Sequence, residues 1–123
     1  HPRVFHIGYS SRFDTKAKFV NTCDMMMHAR LDGEIFSLSI AEFSTRNKPI
    51  LSWLPERIPE CYDTGHIHIL QNNAFYYRDE MDLINILLNI SKNDFYGKNW
   101  DVYADTYSPE NVMREFQEVF IDE

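Results

Sequence analysis

Two acidic residues, Glu34 and Glu42, stand eight positions apart in the stretch HARLDGEIFSLSIAEF, residues 28–43. The first falls in a turn beside Gly33, and the second lies inside a segment with helical spacing. An ionised carboxylate accepts hydrogen bonds from two vicinal hydroxyls at once, so a pair of them suits the hydroxyls of a sugar or a ribose. A helix N-terminus exposes unpaired N–H groups and a partial positive charge, which suit a phosphate. If the helix opens near Ser37, the amides of Leu38 and Ser39 point out of the sheet edge. The five steps from Ser37 to Glu42 then amount to roughly 140° of net rotation at about 100° per residue. Glu42 would lie beside a bound phosphate, and the two acids would meet opposite ends of a sugar joined to a nucleotide. A plainer alternative exists for each. Ser39-Ile40-Ala41-Glu42 has the form of a capping box, which makes Glu42 a local stabiliser of about 1 kcal/mol, and Glu34 is then a solvated loop acid.

The elements that must hold these residues follow from periodicity and turn chemistry. Val4 to Tyr9 (VFHIGY) reads as a short strand, and Asp14 to Asn21 as a helix with Ala17 and Val20 inward. Asp24 to Ala29 (DMMMHA) is apolar without alternation, as expected of a strand covered on both faces. Phe36 to Arg46 reads as a helix with Leu38, Ile40, Ala41 and Phe43 inward, ended by Asn47. Pro49 to Trp53 reads as the next strand, with proline tolerated at its first position. His66 to Leu70 (HIHIL) alternates and reads as a strand, followed by another short one at Ala74 to Tyr77. Asp79 to Ile90 is the clearest helix, acidic at its start and apolar through Met81, Leu83, Ile84, Leu87, Leu88 and Ile90. Ser108-Pro109 opens a last helix, Glu110 to Phe120, with Val112, Met113, Phe116, Val119 and Phe120 on one side. Strands alternating with helices imply an α/β fold with a Rossmann-like, mostly parallel sheet flanked by helices. In such sheets ligands bind beyond the carboxyl ends of the strands, where HARLDGEIFS falls.

At 123 residues the chain is expected to form a single domain, residues 1–123. A net charge of −7 argues against nonspecific nucleic-acid binding, which needs basic surface to displace counterions. No apolar run approaches the roughly 20 residues of a membrane span, and no signal peptide is evident. Cys23 and Cys61 lack metal-site spacing and read as free thiols of a reducing, cytoplasmic setting. His66 and His68 would share one face of a strand, but no acidic or cysteine cluster accompanies them, so no metal is expected.

The run Glu34-Ile35-Phe36-Ser37-Leu38-Ser39-Ile40-Ala41-Glu42, followed by Asn47-Lys48-Pro49-Ile50, resembles the E-x7-E region of retaining glycosyltransferases of the GT-B architecture. Family members read E-G-F-G-L-x-x-x-E there, followed by a G-x-P-V strand. CDMMMHAR and VFHIGY resemble the two strands that precede it, so order and spacing agree across residues 4 to 52. The resemblance implies the carboxy-terminal, donor-nucleotide domain of such an enzyme, with the amino-terminal acceptor domain absent. It implies transfer of a glycosyl group from a sugar nucleotide to an acceptor glycan or small molecule with retention, and no metal or other cofactor. Glu34 would be the catalytic-site acid that contacts donor-sugar hydroxyls, and Glu42 would bind the ribose. The amides of Ser37 and Leu38 would meet the diphosphate. Arg30, where the family has a Pro-Ser pair, would clamp the phosphate from the side, and His28 would touch the sugar or pack at the sheet end. A separate amino-terminal domain or a second copy of the chain would complete the unit. The competing expectation is a small flavodoxin-like binding or interaction module without chemistry.

Overall fold

The computed structural model describes residues 1–121. Nine elements follow one another along them: α1 Phe13–Thr22, β1 Met26–His28, α2 Leu38–Ser44, β2 Ile50–Trp53, α3 Gly65–Leu70, β3 Phe75–Tyr77, α4 Glu80–Asn89, a single 3-10 turn at Lys92–Asp94, and α5 Pro109–Phe120. The three strands form one open parallel sheet in the order β1-β2-β3. The register pairs His28 with Ser52 and Ser52 with Tyr76. The chain is therefore α/β, with a parallel sheet flanked by helices, consistent with a Rossmann-like layering.

The core lies where α1 and α2 close over the sheet, around Val20, Ile40, Phe43, Ile50, Leu70 and Tyr103. β2 is the central strand, and Ile50, Leu51 and Ser52 have no exposed surface. Local chemistry defines both ends of α2. The Ser37 hydroxyl accepts from the Ile40 amide at its start. At its end Asn47 adopts φ 55°, and the amides of Asn47 and Lys48 return to the carbonyls of Ser44 and Phe43. That pair of bonds is the Schellman pattern, and asparagine tolerates the left-handed backbone it needs.

An irregular segment far along the chain seals the other side of α2. Buried Ser44 donates to the Trp100 carbonyl at 3.1 Å and accepts from the Val102 amide at 3.1 Å. Asn47 Oδ1 accepts from the Trp100 amide at 2.7 Å, and the Tyr103 hydroxyl donates to the Phe36 carbonyl at 2.6 Å. Trp100 and Tyr103 are both buried.

Several expectations change. VFHIGY is not a strand: residues 4–9 run irregular and exposed, with no strand among the described residues to pair their backbone. β1 is consequently an edge strand, and Met27 is exposed rather than covered on both faces. Leu38 points outward, because the helix starts there and turns Ile40 and Phe43 to the core. HIHIL is the helix α3, not a strand. Its buried members are His66 and Leu70, an i,i+4 pair, while His68 is exposed. The apolar faces of α4 and α5 form as helices but are not covered. Met81, Leu87 and Leu88 on α4, and Met113, Phe116 and Phe120 on α5, are exposed among the described residues.

Candidate functional site

β1 delivers His28 and Arg30 to the carboxyl edge of the sheet, and the chain then turns through Asp32 and Gly33 to Glu34. The turn is held by the segment that precedes α3. The Asp63 amide donates to the Asp32 carbonyl at 2.8 Å, and the Glu34 amide donates to the Asp63 carbonyl at 3.2 Å. Gly33 and Asp63 form an isolated parallel bridge. Two glycines permit this approach. Gly33 has φ +65°, and a Cβ there would sit 2.0 Å from the Asp63 carbonyl oxygen. A Cβ on Gly65 would lie 2.1 Å from the Ile35 carbonyl oxygen.

The Glu34 carboxylate is largely buried, with 18% of its side chain exposed. Arg30 Nη1 pairs with Oε1. His28 Nε2 faces Oε2 at 3.4 Å without hydrogen-bond geometry, and neither atom has another partner among the described residues. Burial pushes the Glu34 carboxyl up, but the Ser37 hydroxyl, the Arg30 guanidinium and His28 outweigh it, so it titrates below the ordinary glutamate range. Burial and the neighbouring His66 push His28 below the usual histidine value, against the opposing pull of Glu34.

These shifts have a consequence for stability. Both groups bind protons more weakly folded than unfolded, so the unfolded state gains protons first as pH falls. The stability that His28 contributes is complete above the unfolded histidine value of about 6.5 and is lost as pH drops below it toward the depressed folded value. The Glu34 share is lost further into the acid range. The groups facing His28 are Glu34, Arg30 and His66. Thermal denaturation should therefore show a Tm that falls between pH 7.5 and pH 5.5 in the wild type and falls less in His28→Gln. Parallel curves for the two proteins would rule out this role of His28.

An open groove of about 580 Å³ runs past this turn, lined by Arg30, Glu34, Ser37, Leu38, Ser39 and Asp63 among others. Glu42 does not line it. It lines a second groove of about 410 Å³ between α1 and α2, where it pairs with Lys16 at 3.4 Å beside Phe13, Thr45 and Arg46. The structure thus brings Arg30, Glu34, Ser37 and Leu38 together around one groove, places His28 behind Glu34, and sets Glu42 in the other groove. The capping box Ser39–Glu42 is not formed, because the cap is Ser37 and Glu42 lies beyond the first turn. Leu38 and Ser39, four and three residues before Glu42 on α2, line the Glu34 groove and not the Glu42 groove.

Sequence reading missed His66 as part of this site. Its imidazole has no exposed surface, its Nδ1 lies 2.9 Å from the Glu34 carbonyl oxygen, and its ring centroid is 4.8 Å from that of His28. The available signal was the pair Gly65-His66 directly after Asp63-Thr64, a helix start rather than a strand. Among the described residues no group of three or more His, Cys, Asp or Glu side chains could hold a metal ion. Among the same residues no helix is long and apolar enough to cross a membrane. The chain matches no protein-family model, no curated protein and no solved structure.

Proposed function

We propose that the chain is the donor-binding portion of a retaining GT-B glycosyltransferase, holding a sugar nucleotide across the first turns of α2. The observation that carries this reading is the placement of Glu34. It is a largely buried carboxylate held in the ionised form at the exit of a parallel strand, and it lines a groove with Arg30 and the cap residue Ser37. An ionised acid in that position accepts hydrogen bonds from the hydroxyls of the transferred sugar. Arg30 supplies the positive charge that a diphosphate needs in a chain of net charge −7. Glu42, exposed in the second groove, accepts from the ribose, with Lys16 as its partner when no ligand is bound. The acceptor is a glycan or small molecule, and turnover depends on an acceptor-binding domain or on a second copy of the chain.

Calorimetric titration with uridine, guanosine and adenosine diphosphates tests the reading. One of the three should bind the wild type, and Glu42→Ala should weaken that binding by roughly 10-fold, as loss of hydrogen bonds to a charged acceptor does. Absence of binding by both proteins defeats the proposal. It would favour the second reading, a non-catalytic interaction module, which the exposed apolar faces of α4 and α5 support.

A further inference from the structure

We propose that His66 is a positioning residue for Glu34, acting on its main chain from beneath the groove; this rests on the reading of Glu34 as the sugar-contacting acid. His66 lies on α3, outside the lining of the Glu34 groove, and its side chain has no exposed surface. A buried imidazole is costly unless its nitrogens are bonded, and here Nε2 has no hydrogen-bond partner among the described residues, so the retention of His66 needs a reason. The reason is Glu34. The His66 amide donates to the Glu34 carbonyl at 2.8 Å, and Nδ1 lies 2.9 Å from the same oxygen and 3.2 Å from the Glu34 amide.

Both tautomers serve. A protonated Nδ1 donates to the Glu34 carbonyl, and a bare Nδ1 accepts from the Glu34 amide. With Nδ1 bare, His66 grips both main-chain polar groups of Glu34; with Nδ1 protonated, its ring and its amide both donate to the Glu34 carbonyl. The grip is close because Gly65 allows α3 to press its first turn against Ile35. On the other side, the ring of His66 packs against His28, whose Nε2 faces the Glu34 carboxylate. Glu34 is therefore fixed twice, through its backbone by His66 and through its side chain by Arg30 and His28. Such double fixing holds a binding group within the fraction of an ångström that selective recognition requires.

Asparagine at position 66 can place its amide near the site of Nδ1, whereas glutamine places it near Nε2. The rescue pattern follows from that geometry. In calorimetry with UDP-glucose, GDP-mannose and their parent diphosphates, His66→Gln should lose roughly 10-fold in affinity for the sugar nucleotide that binds, with the diphosphate changed less than twofold. His66→Asn should retain the wild-type values. Equal losses for sugar nucleotide and diphosphate, or equal losses in the two variants, overturn the proposal.

A wild type that binds none of these four ligands and no adenosine diphosphate defeats the proposed function and leaves the positioning role to a ligand-free measurement. Carbon-detected NMR titration should show the Glu34 carboxyl moving up toward the ordinary range in His66→Gln and staying low in His66→Asn. An unmoved carboxyl in His66→Gln overturns the role. If His66→Gln does not fold, the wild type decides by long-range proton–nitrogen correlation. His66 Nδ1 should carry a hydrogen-bonded shift, and a shift typical of a free ring nitrogen overturns the proposal.

Discussion

Glu34→Gln should weaken sugar-nucleotide binding by roughly 10- to 100-fold while leaving the parent diphosphate within about threefold. The range follows from the 1.5–3 kcal/mol that hydrogen bonds to a charged group contribute. Glutamine preserves the shape but loses the charge, and its NH2 group can only donate. Of two vicinal hydroxyls, one would lose its acceptor. The loss has a second component. Without the carboxylate, Arg30 has no counter-charge and His28 Nε2 faces a neutral group. Arg30 is then free to turn toward a phosphate, so diphosphate affinity should hold or rise slightly. Equal affinities of wild type and Glu34→Gln for the sugar nucleotide would remove Glu34 from the site. Because the side chain is largely buried and its ionised form contributes stability, a thermal melt of the variant belongs beside the calorimetry, and a still cooperative melt at a somewhat lower Tm, together with the lost affinity, is the expected pairing.

Gly33→Ala should be the most destabilising single change in the turn. Two costs add. An alanine at φ +65° occupies the left-handed region at about 1–2 kcal/mol. Its Cβ also falls 2.0 Å from the Asp63 carbonyl oxygen, a backbone atom that cannot swing aside. Overpacking against such an atom costs about 1–3 kcal/mol. Together these give about 2–5 kcal/mol, a large part of the 5–15 kcal/mol that holds a typical domain folded. Gly65→Ala meets only the second cost, from the Ile35 carbonyl, and should lose less. Urea denaturation of the two variants checks both the size and the order. A Gly33→Ala midpoint within experimental scatter of the wild type would show that the bridge to Asp63 yields without penalty.

The parts of this fold that were legible in the sequence are those written in local chemistry. Ser37 and Asn47 bracket α2, Ser108-Pro109 opens α5, and Asp79 caps α4 by accepting from the Asp82 amide. β1, β2 and β3 fall within the short apolar and aromatic runs DMMMHA, PILSW and AFYY. The failures have physical causes. In HIHIL five residues are too few to separate a period of two from one of 3.6, and the burial of His66 with Leu70 resolves the choice only in three dimensions. VFHIGY has the composition of a strand, but a strand exists only with a neighbour, and none among the described residues pairs with it. Ser44 meets Trp100 across 56 positions, a separation that no local pattern reveals. The same limit hid His66 from the site. Its link to Glu34 spans 32 positions and runs through main-chain atoms, which carry no residue-type signal.

The bare hydrocarbon on α5 bears on how the chain behaves in the laboratory. Val112, Met113, Phe116, Val119 and Phe120 are exposed along one helix while the fold beneath is intact. Dyes that brighten on contact with oily surface commonly report loosened tertiary packing. Here they should fluoresce on the native chain at room temperature, so a melting curve followed by such a dye would begin bright. Tryptophan emission is the better reporter of unfolding, since Trp100 is buried against Phe75 and enters water only when the core opens.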